Sequence, residues 1–203
     1  MTRLIVIGAG GHSKVVIDAA LAAGHEVSCV VDESGARPEV MGIETLSVLP
    51  DDARDAFVIA VGDNAARKNR FDQHRSLALE PIPIIHPDAV IAPSATIGAG
   101  AVVFGGVVVN ADACIGDNVI LNTGCTVDHD CTVGAHAHIA PGAHLCGNVT
   151  VGEGTLVGVG SCAVPGVRIG AWAVVGAGAA VTGDVADGVT VAGVPARPLS
   201  EKR

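Results

Sequence analysis

The sequence predicts two kinds of fold in series, a small α/β unit in front and a triangular coil of short stacked strands behind it. Three observations lead there. Residues 3–32 read as a strand, a glycine-rich turn, a helix and a second strand. From Ile91 onward an aliphatic residue returns at every sixth position. Aromatic residues make up only 2% of the chain, against 27 glycines, so small and branched aliphatic side chains must fill the interior in thin layers. At 203 residues and 49% hydrophobic, the chain can bury two cores. The division is expected at 1–84 and 85–203.

The front unit opens with a buried strand, residues 3–7, which runs into Gly8-Ala9-Gly10-Gly11-His12-Ser13. An amphipathic helix from Lys14 to Ala23 follows, then Gly24, then a strand from Glu26 to Val31 that ends at Asp32. A βαβ unit of this length is Rossmann-like. Its glycines allow close backbone approach, and the helix start offers free N–H groups to a phosphate. The third glycine of the dinucleotide pattern would fall at Ser13. That speaks against hydride transfer and for a mononucleotide or nucleotide sugar, with Asp32 placed to accept from ribose or base. The competing reading is that these glycines only make tight turns. A third strand, Phe57 to Val61, ends in Gly62-Asp63-Asn64 before a second helix. Residues 81–87 then enter the repeat without a linker, so the halves should pack rigidly together.

Residues 91–186 divide into sixteen hexads without a slip, since 16 × 6 = 96. The first position is Ile, Leu or Val in fifteen of them, Ala163 being the exception, and the fifth is always Ala, Val, Cys, Thr or Ser. A helical period of 3.6 does not produce this, and nor does simple strand alternation. Three such sides close a coil of 18 residues, giving just over five coils stacked about 4.8 Å apart. Position six should face outward. One column of these residues, Val102, Ile120, His138, Leu156 and Val174, is apolar except for its histidine. Such a stripe reads as a subunit interface and, on a three-sided prism, as a homotrimer. The competing reading is that the chain's own front unit covers it.

The formal charge is 12 − 21 = −9 and no basic run occurs, which argues against nucleic acid and anionic membranes as partners. No apolar run approaches the roughly 18 residues of a membrane span. Residues 1–11 lack the pattern of a secretory signal, so a cytoplasmic location is expected. The six cysteines show no C-x-x-C spacing, so no zinc ribbon or redox pair is expected, and most should be buried as small hydrophobes.

His129 is the candidate for chemistry. It occupies position three of its hexad, and its column neighbours are Ala111 and Gly147, with Pro93 and Pro165 beyond them. A lone imidazole among small residues leaves room for a substrate, and neutral imidazole suits general-base work. Asp130 can fix its tautomer only if the chain turns a corner between them. Asn122, one hexad earlier, is placed to touch the substrate. His138 is expected at a subunit seam, whereas His136 and His144 are expected on the surface. Cys125 and Cys131 hold the inward fifth position, which favours direct transfer over an acyl-enzyme.

Taken together, Gly8 to His12, Asn122-Thr123, Val127 to Cys131 and Gly193 to Arg197 resemble one branch of the hexapeptide-repeat acyltransferases. These are the bacterial nucleotide-sugar N-acetyltransferases of the PglD and PerB type, with their NeuD-like sialic-acid O-acetyltransferase relatives. The resemblance implies a Rossmann-like domain followed by a left-handed parallel β-helix, with acetyl-CoA as co-substrate and a homotrimer. It implies His129 as general base and Asp130 as the group raising its basicity. It also implies acetyl-CoA contacts at His138, Val159 and Ala177, with Gly147 supplying a backbone N–H nearby. Gly10, Gly11, His12, Asp32, Glu33, Gly62, Asn64 and Asn122 would hold the nucleotide-linked amino sugar. Acetylation of a hydroxyl is the alternative, and three rivals are weaker. A serine-acetyltransferase-like enzyme would bring a helical front domain. A prism carbonic anhydrase would place several of His129, His136, His138 and His144 on zinc. A non-enzymatic nucleotide sensor would bind without releasing CoA.

Overall fold

The structure, a computed structural model, describes residues 2–35, 37–50, 53–77 and 79–199. The front unit contains β1 (Arg3–Ile7), α1 (Gly11–Ala22), β2 (Glu26–Val31), β3 (Glu39–Val40), β4 (Ile43–Leu46), β5 (Ala56–Ile59) and α2 (Asn64–Ser76). Its sheet runs in the order β3-β4-β2-β1-β5, parallel except for β3. Leu4–Ile7 of β1, and β5 at the end of the sheet, are unbroken aliphatic or aromatic runs because helices cover both faces. On one face α1 buries Val16, Ile17, Ala19 and Ala20. On the other, Phe71 of α2 packs against Phe57, with ring centroids 5.9 Å apart.

The observed elements differ from expectation in three places. Helix α1 starts at Gly11, not Lys14, with Gly10 as its N-cap. Strand β5 covers Ala56–Ile59 where Phe57 to Val61 was expected. The β3–β4 hairpin is unannounced in the sequence: its two-residue turn needs positive φ at Met41 (53°) and Gly42 (76°), and methionine gives no such signal.

Behind this unit, two-residue strands recur at hexad positions six and one, each pairing with the strand 18 residues on. The result is a three-faced left-handed parallel β-helix. The first face carries strands at 84–85, 102–103, 120–121, 138–139, 156–157 and 174–175, closed by Thr190–Ala192. The second face begins at 90–91 and the third at 96–97. Positions one and five make the core, as the pattern required. From Gly100 to Gly178 position four turns each corner in the left-handed region: it is glycine or one of Asp112, Asn118, Asp130, His136, Asn148 and Trp172, the latter six at φ 55–61°. The repeat is one hexad longer at the front than expected, because Ile84–Ile85 already pairs with Val102–Val103. At the far end it slips by two residues: Ile169 pairs with Val185 and Val174 with Thr190, so the sixteenth hexad does not complete a regular coil.

The apolar stripe is not a free interface. Val102 and Ile120 are buried in one cluster with Leu4, Val6, Val16 and Ile17 of the front unit. His138, Leu156 and Val174, further along, line a cavity. The covering reading therefore holds for the upper stripe, and the two halves share a core as the short connection implied. Arg67 of α2 reinforces the joint. Its guanidinium is fully buried and donates to the carbonyls of Val61, Gly62, Asn118, His136 and Ala137.

Two further expectations are corrected. His136 is buried rather than on the surface, bonded to Asn118 at 2.9 Å beneath α2, while His144 is exposed as expected. Only Cys125 and Cys131 of the six cysteines are buried; Cys114 and Cys162 are exposed because position six faces outward. Among the described residues, no helix is long and apolar enough to cross a membrane.

Candidate active site

Asp130 sits at a corner, with φ of 59°, and the turn brings its carboxylate back onto the preceding residue. Asp130 Oδ2 lies 2.7 Å from His129 Nδ1, the contact that a straight strand would forbid. Asp128 accepts from the His129 backbone N–H at 2.8 Å and fixes the turn. The Asp130 hydrogen bond, followed by the charge of Asp128, raises the His129 pKa above the usual imidazole value. With Nδ1 occupied, Nε2 is the nitrogen left for a substrate. It faces Gly147 one coil away, where an added Cβ would come within 2.6 Å of Cε1 and Nε2. His129, Cys146, Gly147, Asn148 and Pro165 line a shallow groove of about 440 Å³ on the edge between the second and third faces. Cys131 points inward with its thiol on the Cys146 carbonyl, and burial raises its pKa. Burial pushes Cys125 to about 12. Neither thiol is placed as a nucleophile.

A second, larger hollow of about 720 Å³ opens between the front unit and the first face. It gathers His138, Val159, Ala177, Gly62 and Asn64, together with Leu156, Trp172 and Val174. Asn122 is fixed by accepting from the Thr123 N–H at 2.8 Å, so its Nδ2 faces His138 Nε2 at 3.0 Å. Burial, then the Arg67 charge, then His12 lower the His138 pKa to about 4, and the Gly62 carbonyl opposes them by bonding the ring. His138 is thus a neutral, oriented hydrogen-bonding group at working pH.

The glycine loop forms a third region. No side chain caps α1 at Gly10, and a Cβ added at Gly10 or Gly11 would meet nothing within 4 Å, so space lies open before the helix start. His12 packs edge-on against Phe104, with centroids 5.6 Å apart, and lies 6.5 Å from the His138 ring. Burial, then Arg67, lower its pKa to about 4, and its buried Nε2 has no hydrogen-bond partner among the described residues. Asp32 already has partners within the chain: its oxygens accept from the Ala9 N–H at 2.7 Å and from the Ser34 N–H and hydroxyl. Partial burial works against its ionised form, but those bonds outweigh it and hold the pKa below the usual value. Asp32 therefore shapes the loop. Glu33 is exposed and paired with Arg70 at 2.6 Å.

Within the chain, then, His129 and Gly147 lie on one prism edge while His138, Val159, Ala177 and Asn64 meet across another face. Sequence reasoning missed Arg67 and Trp172. Neither carries a local signal, since an arginine in a polar helix reads as solvated and a tryptophan at a corner reads as surface. His129, His136, His138 and His144 are not gathered on one edge, and no cluster of three or more metal-ligating side chains occurs among the described residues.

Residues 3–74 match the PglD N-terminal domain family, and residues 112–147 match the bacterial transferase hexapeptide family (six repeats). Comparison with curated proteins finds no match. Among solved structures, the acetyltransferase domain of PglB from Neisseria gonorrhoeae is 40% identical with a TM-score of 0.92, covering 98% of this chain and 100% of that one. PerB from Caulobacter crescentus, solved with CoA and GDP-perosamine, is 41% identical with a TM-score of 0.91, covering 98% of each chain. WeeI from Acinetobacter baumannii is 26% identical with a TM-score of 0.79, covering 98% of this chain and 100% of that one. With a Rossmann-like front unit sealed onto a hexapeptide β-helix, and about 40% identity over 98% of its length to the PglB acetyltransferase domain and to PerB, the chain belongs to the PglD- and PerB-type hexapeptide-repeat sugar acetyltransferases, the nucleotide-sugar N-acetyltransferase branch.

Proposed function

We propose that this enzyme transfers the acetyl group of acetyl-CoA to the 4-amino group of a UDP- or GDP-linked 4-amino-4,6-dideoxy sugar, as a cytoplasmic step of glycan biosynthesis. The observation that carries the reading is the His129–Asp130 pair, an oriented imidazole with its outer nitrogen facing a groove walled by glycine. His129 takes a proton from the attacking amine, and Asp130 stabilises the imidazolium that forms. The amine nitrogen bonds to the thioester carbonyl carbon, the tetrahedral oxyanion collapses, and the C–S bond breaks to release CoA. The Gly147 N–H is our candidate donor to the oxyanion. We take transfer to be direct, with the Cys125 and Cys131 thiols buried in the core and away from the groove. The structures of relatives support the substrate class: PerB and a histidine-to-alanine mutant of it were each solved with CoA and GDP-perosamine, and the PglB domain was solved with acetyl coenzyme A.

We further propose a homotrimer with composite sites. The His129 edge and the His138 cavity lie on different parts of one prism, so a neighbour's His129 edge would complete each cavity. The glycine loop, with Gly10, Gly11 and His12, holds the nucleotide end of the acceptor, while Asn122 and His138 face the reacting end.

The test is thiol release from acetyl-CoA with UDP- and GDP-linked 4-amino sugars, comparing wild type with His129→Ala. Release with one nucleotide sugar, lost by about 10²–10⁴-fold in a mutant of unchanged assembly size, is expected. Equal activity in the mutant would remove His129 from the mechanism. Release only with a sialic-acid-like hydroxyl acceptor would move the reaction to O-acetylation.

A further inference from the structure

His129 is flanked in sequence by two carboxylates, and its Nδ1–H can be given to only one of them. The structure divides the donors of this residue between the two. Asp130 takes the ring, with Oδ2 2.7 Å from Nδ1, and Asp128 takes the main chain, with Oδ1 accepting the His129 N–H at 2.8 Å. Asp128 does not hold that place alone. Asn110, one coil earlier on the same edge, donates from Nδ2 to the same Oδ1 at 2.8 Å. A carboxylate only accepts, so the Asn110 amide must turn its nitrogen that way.

This bond is not ordinary stacking of the coils. Both backbones are secured without it: the Asn110 N–H donates to the Val127 carbonyl at 2.9 Å and the Asp128 N–H to the Leu145 carbonyl at 3.0 Å. Nor does it continue along the edge. The column reads Ala92, Asn110, Asp128, Cys146 and Val164, so amide and carboxylate stand only at the two rungs next to His129. Among the described residues it is the one side-chain hydrogen bond between coils that ends on a carboxylate; the others join Asn118 to His136, Asn122 to His138 and Thr126 to His144.

An asparagine suits this place chemically. At an exposed rim a free carboxylate turns among its rotamers and water and salt screen its charge. A lysine would fix the carboxylate but offset the charge, whereas an amide fixes it and leaves the charge beside the imidazole. The His129 N–H and then the Asn110 amide hold the Asp128 carboxyl below the usual carboxylate range, so it stays anionic where His129 is neutral. Asp128, Asp130 and the Cys146 thiol are the titratable side chains around the ring, and none brings a positive charge. We propose that Asn110 is a positioning residue for the transfer: by pinning the Asp128 carboxylate to the His129 main chain, it keeps that negative charge beside the imidazole and off Nδ1, which stays with Asp130 while Nε2 meets the acceptor. This rests on the reading of His129 as the base. Released from Asn110, Asp128 turns into water, and the imidazolium formed during transfer loses one of its two anions.

The test combines a titration with a double-mutant cycle. In the free enzyme the His129 imidazole, followed by NMR, is expected to titrate at lower pH in Asn110→Ala than in wild type; an unmoved titration would overturn the proposal whatever the acceptor. Kinetics with acetyl-CoA and a UDP- or GDP-linked 4-amino sugar begin with His129→Ala. Wild-type kcat in that variant rejects the base and the positioning role together. With His129→Ala inactive, Asn110→Ala is expected to lower kcat about tenfold and leave both KM values, Tm and assembly size unchanged. Asn110→Gln, which keeps the amide, should recover most of the loss. Asp128→Asn should lower kcat to a similar extent, and adding Asn110→Ala to it should cost nothing more. Losses that multiply in the double variant would show that Asn110 acts elsewhere and sink the proposal. So would wild-type kcat in Asn110→Ala, a change confined to KM, or a kcat loss that follows a lowered Tm and is not recovered by Asn110→Gln.

Discussion

His129 depends on the residue beside it. With the Asp130 hydrogen bond raising its pKa, a base that must be neutral loses activity as pH falls through that raised value. Asp130→Asn removes the carboxylate charge from that bond, so the acidic limb of the pH–rate profile should move to lower pH while kcat falls, as the imidazolium loses its anionic partner. An unmoved limb would exclude coupling between the two residues. Gly147 invites a steric test. Its φ is not in the left-handed region, so Gly147→Ala strains no backbone there, yet the new Cβ would meet the His129 ring at 2.6 Å. That variant should lose at least about tenfold in kcat with Tm unchanged, read from thermal unfolding beside steady-state rates.

At the level of elements, the solenoid turns on glycines the hexad reading passed over. Gly98, Gly116, Gly134, Gly152 and Gly170 stand 18 residues apart at position two, all on the edge between the third and first faces. A Cβ at any of them would come within 2.7 Å of an atom of the next coil, a backbone atom at all but Gly170, whose nearest is the Asp187 carboxylate. The backbone cannot yield there without parting the coils. Gly134→Ala, with backbone of residues 152–153 at 2.6–2.8 Å, should therefore destabilise by about 1–3 kcal/mol or more, seen as a drop of several degrees in Tm. Ala substitution at Gly160, whose left-handed φ of 64° meets no neighbour within 4 Å, should cost less, about 1 kcal/mol. The difference between the two separates crowding from backbone conformation.

At the level of the molecule, Arg67 joins the halves. Among the described residues no carboxylate contacts its charge, and its donors reach carbonyls from the loop after β5 on one side and from two solenoid corners on the other. Arg67→Met leaves five carbonyls short of a donor, those of Asn118, His136 and Ala137 in buried bonds, so a loss of about 3 kcal/mol or more is expected, with unfolding splitting into two transitions as the front unit separates. His12 and His138 add a pH dependence at the same joint. Both are depressed to about 4 when folded and take up protons near 6.5 when unfolded, so the unfolded chain binds more protons in between. Stability should be full above about pH 6.5 and fall as pH drops towards 4. A flat Tm across that range would show that the two rings are not held as described.

The sequence by itself determined the periodic parts. Spacing of six with small fifth positions allows one packing, so the β-helix, its inward cysteines and the outward place of His129 were legible, as were the βαβ strands and the open glycine loop. What lay outside the period was not. The Met41-Gly42 hairpin breaks the usual residue preference for its turn, and the two-residue slip near Val185 leaves no local mark. Whether the stripe of Val102, Ile120 and His138 met a second subunit or the chain's own α1 and β1 depended on where the front unit docks, and only tertiary structure decides that. The same docking buried His136, placed Arg67 among carbonyls distant in sequence, and drew Asn64 away from the glycine loop. Periodicity records what repeats along the chain, whereas the joint between two unlike folds is made once, from contacts 50 to 90 residues apart, such as Arg67 to Asn118 and Asn64 to Gly154.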